Sequence, residues 1–218
     1  MKCADSDISL FAVEDVIRFG TSSQLTRRLD RGDFVVPGRK QGRRSMHREE
    51  HCLRIYLQKT GTSFTYPLSI KRAKPPEPDF LINQSNNLTI GLEVTEATSE
   101  EYQELLTEVE GTNGSVILDM KPNIVQRGED YEYDPKKDGW VGDGPKKAAA
   151  GLIFDAICKK VEKLRTYKGG DVYQLLVYCN LPVPIPDIQK VVKMVAPHIS
   201  EDSYEKIFLI DDRNIYFL

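Results

Sequence analysis

Alternation of apolar and polar residues divides the first half of the chain into short strands. The segments 79–82 (DFLI) and 88–97 (LTIGLEVTEA) are apolar and flank the polar turn NQSNN, and 63–71 (SFTYPLSIK) has the aromatic and β-branched content of a third strand. A helix is predicted before them, over 48–59. This order predicts a mixed or antiparallel β-meander that follows a helix.

The second half of the chain alternates helical and strand-like segments. Helical periodicity covers 99–109, 147–168 and 187–199, and strand-like composition covers 171–181 and 204–212. Helices interleaved with strands in this way pack on the faces of a sheet. We therefore expect an α/β (α+β) fold with a mixed sheet flanked by helices.

The N-terminal region has a different pattern. A helix is predicted over 8–19, and a second, basic helix (QLTRRLDRG) ends at Gly32. A short strand at 34–36 follows. Helix, turn, basic helix and wing is the layout of a winged helix-turn-helix, so we expect a DNA-binding module over 1–47 and a main domain over 48–218.

Positive charge is concentrated in this region. The chain has a formal net charge of −3, whereas the segment from Arg18 to Arg48 carries nine basic and two acidic residues. The stretch LTRRLDRGDFVVPGRKQGRR resembles the small winged modules of the excisionase and MerR type, and a helical extension or a solvated arginine-rich loop is the alternative. The residues expected to contact DNA are Ser22, Gln24, Arg27, Arg28, Arg31, Arg43 and Arg44.

Composition narrows the class of protein. With 218 residues, 40% of them hydrophobic and 29% charged, the chain has enough apolar side chains for a core. It has no run of about 18 apolar residues and no apolar leader near its N-terminus, so no membrane span or secretory signal is predicted. Its four cysteines are scattered without a CxxC spacing, which predicts reduced thiols in a cytoplasmic protein and no zinc site.

Two acidic residues occupy the ends of strands that are otherwise apolar. Asp79 begins one strand, and Glu93 lies near the end of its hairpin partner. Burying an unpaired carboxylate is costly, and two carboxylates that converge repel each other unless a divalent cation lies between them. We therefore predict a Mg²⁺ or Mn²⁺ site at Asp79 and Glu93.

Pro78-Asp79, the hairpin and Glu93-Val94-Thr95 resemble the motif of the PD-(D/E)XK nuclease superfamily, in which Pro-Asp is followed by Glu-x-Lys. The resemblance covers about residues 46–181 and implies a restriction-endonuclease-like core. It implies that Asp79 and Glu93 bind the metal ion and that Val94 offers its backbone carbonyl to it. It also implies a catalytic glutamate on the preceding helix, Glu49 or Glu50, of which we assign Glu50.

The sequence departs from that motif at Thr95, which stands where the lysine belongs. In the superfamily this lysine orients or activates the attacking water, and it is found on a neighbouring helix in some members. The predicted helix over 147–168 carries Lys160 on its apolar stripe, with Lys163 as second choice. The alternative is that both are surface lysines with apolar stems packed on the protein.

Two functions follow from these observations. The first is a Mg²⁺-dependent DNA endonuclease that hydrolyses phosphodiester bonds while the basic N-terminal module holds the DNA. The second is a catalytically inactive nuclease fold that binds DNA or has a regulatory role, which Thr95 favours. A Lys160 within reach of Asp79 and Glu93 supports the first function, and a Lys160 that faces solvent supports the second.

A long insertion loop is expected over 110–147, which is rich in Gly, Asp, Lys and Pro. Its Trp140, Tyr131 and Tyr133 are candidate contacts for a protein partner or parts of a lid, with core packing of Trp140 as the alternative. The C-terminal stretch DDRNIYFL offers a strand that could extend the sheet of a second copy, so a homodimer is allowed.

Overall fold

The computed structural model describes residues 10–11, 15–30, 45–98, 124–127, 130–133, 144–179, 188–199, 203–211 and 214–218. Some of the predictions fall outside this part of the chain. They are the wing strand at 34–36, the helix at 99–109, and the side chains of Arg31, Arg43, Arg44, Tyr131, Tyr133 and Trp140.

The described residues form one seven-stranded sheet and a separate two-stranded hairpin. The sheet contains β1 (Val16–Phe19), β2 (Leu68–Arg72), β3 (Phe80–Gln84), β4 (Thr89–Ala97), β7 (Val172–Cys179), β8 (Lys206–Asp211) and β9 (Asn214–Phe217). The hairpin consists of β5 (Ile124–Arg127) and β6 (Asp130–Tyr133). The order of strands across the sheet is β1-β2-β3-β4-β7-β8-β9.

The sheet is mixed, as predicted. Strands β1 to β4 are antiparallel neighbours, β7 and β8 continue the sheet in parallel with β4, and β9 returns antiparallel to β8. The β3–β4 turn contains Asn87 at φ 64°, a left-handed conformation that asparagine tolerates better than most residues. The predicted meander is therefore confirmed as β2, β3 and β4.

Helices cover both faces of this sheet, which confirms the expected layers. They are α1 (Ser22–Leu29), α2 (Ser45–Thr60), α3 (Gly144–Leu164) and α4 (Ile188–Val195). Helices α1 and α2 share one core with the sheet, and α3 and α4 share the core on the opposite face. Among the helices of the described ranges, none combines the length and apolar character needed to cross a membrane.

Strand β4 separates the two cores one residue at a time. Ile90, Leu92 and Val94 are buried in the core under α1 and α2. Because successive side chains of a strand point to opposite faces, Gly91 and Glu93 face α3 instead. This alternation places an acidic side chain beneath a helix.

The helix predicted over 8–19 is wrong at its C-terminal end, where Val16–Phe19 is strand β1. Its residues pair with β2, from Val16 opposite Lys71 to Phe19 opposite Leu68. Val, Ile and Phe have high strand propensity, and the edge of β2 supplies backbone partners for them. The sequence pattern of this short apolar segment fits both structures, and the sheet edge decides between them.

The second predicted helix is confirmed as α1, although it ends at Leu29 and not at the predicted Gly32. Thr21 caps it, because the Thr21 side chain accepts a hydrogen bond from the Gln24 backbone N–H (3.3 Å). Leu25 and Leu29 of α1 are buried in the same core as α2. The predicted domain boundary between residues 47 and 48 falls inside α2. The described N-terminal residues also share a sheet and a core with the rest of the described chain, since β1 pairs with β2 and α1 packs in the core of α2.

The strand predicted over 63–71 begins later, at Leu68 of β2. Residues Gly61–Ser63 form a 3-10 helix that continues from α2, and the Tyr66 hydroxyl donates to the Gly61 carbonyl (2.8 Å). Thr65 and Tyr66 therefore lie in the connection that leads to β2, although both residues have high strand propensity. Tertiary contacts override propensity at this point.

Candidate functional site

The β3–β4 hairpin places Asp79 opposite Glu93. Phe80 pairs with Leu92 in the antiparallel register, so the residue before Phe80 faces the residue after Leu92. The Asp79 backbone N–H donates to Glu93 Oε2 (3.3 Å), and the Val94 backbone N–H donates to Asp79 Oδ2 (2.8 Å). The two carboxylates converge at the end of the hairpin.

A glycine allows the Pro-Asp segment to lie close to β4. A Cβ atom on Gly91 would lie 2.5 Å from the Tyr173 ring and 3.0 Å from the Pro78 ring. Gly91 faces the same side of β4 as Glu93, and its missing side chain leaves the space that Tyr173 and Pro78 fill. Because Pro78 precedes Asp79, this packing fixes where Asp79 enters the site.

Lys160 of α3 reaches the carboxylate of Glu93. Its Nζ donates to Glu93 Oε1 in a part-buried ion pair, and Glu93 is only 5% exposed. Ile153 and Ile157 of the same helix are buried, so Lys160 lies on the face of α3 that packs on the sheet, as helical spacing predicts. The structure therefore brings a cation to the two carboxylates from a second element.

The pKa of Asp79 reflects the burial of the site and the charges around it. Burial raises the pKa of Asp79 to about 7, and the negative charges of Glu93 and Glu49 act in the same direction. The hydrogen bond from Val94 and the charge of Lys160 oppose this shift without cancelling it. Burial, together with the charges of the two glutamates, therefore favours the protonated form of Asp79 when no cation is bound.

The helix glutamate near this site is Glu49, and the structure does not place Glu50 there. Glu50 is buried on another face of α2, where it accepts a hydrogen bond from the Leu10 backbone N–H and pairs with Arg54 and Arg72. Adjacent residues of a helix point in directions about 100° apart, so only one of the two glutamates faces the site.

A cavity of about 250 Å³ opens beside the carboxylates, between the N-terminal half of α2 and the last residues of β4. Its lining includes Arg48, Glu49, Thr95, Glu96, Lys160 and Tyr178. Arg48 forms an ion pair with Glu96, on the opposite side of β4 from Glu93. Lys160 thus faces both the carboxylates and the cavity, whereas Lys163 is exposed on the surface of α3.

Two tyrosines that the sequence does not reveal lie behind the carboxylate pair. The Tyr204 hydroxyl donates to the Lys160 backbone carbonyl (3.2 Å), and the buried Tyr167 hydroxyl lies beside Glu93 and Tyr204. Burial first, and the Glu93 charge second, raise the pKa of both tyrosines, so both hydroxyls keep their protons. Only the packing of α3 on the sheet brings these distant positions together.

The donor atoms present suit a hard divalent cation. Within the described residues, no group of three or more His, Cys, Asp or Glu side chains is arranged to hold a metal ion. The available set is the two carboxylates of Asp79 and Glu93 with the Val94 carbonyl. Mg²⁺ is commonly held by one or two carboxylates, with waters and substrate phosphate oxygens completing its coordination. A bound cation would favour the charged form of Asp79 and so oppose the effect of burial on its pKa.

The predicted DNA contacts in α1 are arranged unequally. Arg27 is exposed and Arg28 is half-buried, both in the last turn of the helix. The Gln24 side chain accepts a hydrogen bond from the Gly20 backbone N–H (2.6 Å), and the Ser22 carbonyl accepts one from Thr26 (3.1 Å). Arg27 is therefore the exposed cation among the predicted DNA contacts of this helix.

Helix α1 lies at the far end of α2 from the carboxylates. A Cβ atom on Gly61 would lie 2.8 Å from the Leu25 side chain, so α1 packs where α2 ends. Glu49 precedes Gly61 by twelve residues, which is about 18 Å along a helix axis. Leu25 of α1 thus contacts the end of α2 that lies away from Glu49.

Comparison of the chain with protein-family models, curated proteins and solved structures finds no match. The functional assignment therefore rests on the chemistry and geometry of the residues described above.

Proposed function

We propose that the chain is a Mg²⁺- or Mn²⁺-dependent DNA endonuclease of the PD-(D/E)XK type in which Lys160 replaces the motif lysine. The observation that carries this proposal is the ion pair of Lys160 with Glu93, next to Asp79. Thr95 has no positive charge. Helix α3 instead provides the ammonium group of Lys160 at the same carboxylates. In a restriction-endonuclease-like core, the β3–β4 hairpin would carry the two carboxylates and α3 would supply the lysine.

Each residue of the site has a distinct role in this proposal. Asp79, Glu93 and the Val94 carbonyl would hold the cation. A bound Mg²⁺ polarises the phosphate and lowers the pKa of an attacking water. Lys160, beside Glu93 and facing the cavity, orients that water and places positive charge where the phosphate gains negative charge. Burial of the site strengthens these electrostatic interactions.

The basic surface of α1 would bind the DNA away from the cut. Phosphate contacts from Arg27 and Arg28 provide affinity that does not depend on sequence. Gly61, which Leu25 of α1 contacts, lies about 18 Å along α2 from Glu49. A duplex bound at both places would therefore lie along α2.

Cleavage of supercoiled plasmid tests this function. We expect nicking that requires Mg²⁺ or Mn²⁺, that EDTA stops and that Asp79→Asn abolishes. Asp155→Asn, which changes an exposed carboxylate of α3, should cleave like the unmodified protein. The proposal is wrong if Asp79→Asn cleaves as fast as the unmodified protein, or if plasmid, short duplexes and single strands all stay intact with both cations.

A catalytically inactive nuclease fold that binds DNA is the second candidate, and Thr95 is the observation that favours it. In such a protein the pair of Lys160 and Glu93 neutralises a buried carboxylate and has no further role. Salt-dependent binding of DNA without cleavage of any substrate would select this function.

A further inference from the structure

Tyr167 follows α3 and lies behind the carboxylate pair. Its backbone N–H donates to the Leu164 carbonyl (3.2 Å), which continues the last turn of the helix. Its ring packs at a tilt against Tyr173, with ring centroids 5.9 Å apart. Since Tyr173 in turn fills the space above Gly91, the ring of Tyr167 belongs to the packing that supports Asp79 and Glu93.

The Tyr167 hydroxyl has an unusual position. Its oxygen is buried and makes no hydrogen bond of ordinary geometry with any described residue, although it faces the Glu93 carboxylate and the Tyr204 hydroxyl. A buried hydroxyl without a partner is unfavourable, because it has lost its hydrogen bonds to water. Such a group gains most when a neighbouring acceptor turns toward it.

Glu93 is the carboxylate acceptor beside the Tyr167 hydroxyl. In the structure its Oε1 accepts from Lys160 and its Oε2 accepts from the Asp79 backbone N–H. A cation bound at Glu93 and Asp79 would compete with Lys160 for the same carboxylate. If Glu93 shifts from Lys160 toward the cation, the Tyr167 hydroxyl is a buried donor beside it that has no other partner among the described residues.

We propose that Tyr167 is a positioning residue for the cation site: its hydroxyl donates to the Glu93 carboxylate in the cation-bound protein and sets the orientation of that ligand. This inference rests on the proposed function, because it assigns a partner to one of its metal ligands. Residues that hydrogen-bond to metal ligands commonly change metal affinity by about 10- to 100-fold when they are lost.

Tyr204 has a different role from Tyr167. Its hydroxyl donates to the Lys160 backbone carbonyl, so its hydrogen bond is to the backbone of α3 and not to the carboxylate. Loss of the Tyr204 hydroxyl should therefore alter the position of Lys160 and leave cation affinity close to that of the unmodified protein. Substitution of each tyrosine therefore tests a different part of the site: Tyr167 tests the cation ligand, and Tyr204 tests the position of Lys160.

Calorimetric titration with Mn²⁺, without DNA, tests the role of Tyr167. Tyr167→Phe should weaken Mn²⁺ binding by about tenfold. The control is Tyr66→Phe, which removes the hydroxyl of another half-buried tyrosine, one that donates to the Gly61 carbonyl in the other core. This variant should leave Mn²⁺ affinity unchanged. Equal affinity of Tyr167→Phe and the unmodified protein would overturn the inference while leaving the nuclease proposal in place.

The failure of the nuclease proposal looks different in the same experiment. Both proposals are overturned if the unmodified protein binds no Mn²⁺, either alone or in the presence of DNA. A second measurement keeps the inference testable without a hydroxyl deletion: 3-fluorotyrosine at position 167 should change its ¹⁹F resonance when Mg²⁺ is added, and 3-fluorotyrosine at position 66 should not. An unchanged resonance at position 167, in protein that binds Mg²⁺, contradicts the inference.

Discussion

The ammonium group of Lys160 lies against the carboxylate of Glu93, although the two residues are 67 positions apart in the chain. Glu93 comes from the central strand β4, and Lys160 comes from the helix that covers this strand. The contact brings together a carboxylate and a cation that the usual nuclease motif places two residues apart on one strand. The proposed nuclease would thus have its lysine near Asp79 without a lysine at position 95.

The raised pKa of Asp79 predicts how stability depends on pH when no cation is bound. Its pKa is about 7 in the folded protein and near 3.8 in the unfolded chain, so the folded state keeps a proton that the unfolded state loses between these values. The free energy of unfolding should therefore fall as pH rises through this range and level off above about pH 7. Thermal melts without divalent cations should show Tm lower by several degrees at pH 8 than at pH 5.

Asp79→Asn is the control for this pH effect. The variant lacks the titrating carboxylate, so its Tm should fall less between pH 5 and pH 8. Adding Mg²⁺ at pH 8 should raise the Tm of the unmodified protein and leave that of Asp79→Asn unchanged. Identical pH profiles for the two proteins would show that Asp79 does not titrate in this range.

Gly91 should be intolerant of even a methyl group. The Cβ of Gly91→Ala would lie 2.5 Å from the Tyr173 ring, and relieving this clash should lower the free energy of unfolding by roughly 1–3 kcal/mol. Gly151→Ala in the exposed part of α3 meets nothing within 4 Å and should stabilise by up to about 1 kcal/mol. Urea denaturation measures both, and a neutral Gly91→Ala would disprove the tight packing above β4.

Substitutions of the two glutamates of α2 should have different effects, one on stability and the other on cleavage. Glu50→Ala leaves Arg54 and Arg72 without their buried carboxylate, so the free energy of unfolding should fall by about 3 kcal/mol or more. Glu49→Gln should change stability by less than about 1 kcal/mol and slow cleavage instead. Denaturation curves and nicking rates of both variants check this, and the reverse pattern would place Glu50 in the site.

Arg27 should contribute to DNA binding through phosphates alone. Arg27→Ala should weaken binding to all sequences equally and reduce the slope of log affinity against log salt by about 1. Lys168→Ala, an exposed cation beyond the end of α3, serves as control and should leave the slope unchanged. Fluorescence anisotropy at several salt concentrations measures the slope, and equal slopes for all three proteins would remove α1 from the DNA interface.

The sequence predicts the central part of this architecture well because local patterns determine it. The polar turn at 83–87 joins two apolar segments, so their pairing and the approach of Asp79 to Glu93 follow from the hairpin itself. Lys160 is recognisable because a charged residue on an apolar helical stripe must face either the sheet or an edge of it. These features depend on neighbours within a few residues.

Other features depend on contacts that the sequence does not contain. The β1 strand forms because β2 offers an edge, and the same apolar residues would suit a helix. Which of Glu49 and Glu50 faces the carboxylates is set by the rotation of α2 on the sheet. Tyr167 reaches Glu93 only after α3 is packed, so periodicity gives no sign of it.

Plasmid nicking by two Lys160 variants tests the central claim most directly. Lys160→Ala should cleave at least about 100-fold more slowly than the unmodified protein in Mg²⁺. Thr95 lies on the same face of β4 as Glu93, so adding Thr95→Lys to Lys160→Ala should restore a large part of the rate by returning the lysine to the motif position. A Lys160→Ala protein that nicks plasmid at the unmodified rate would contradict the assignment of Lys160 as the replacement for the motif lysine.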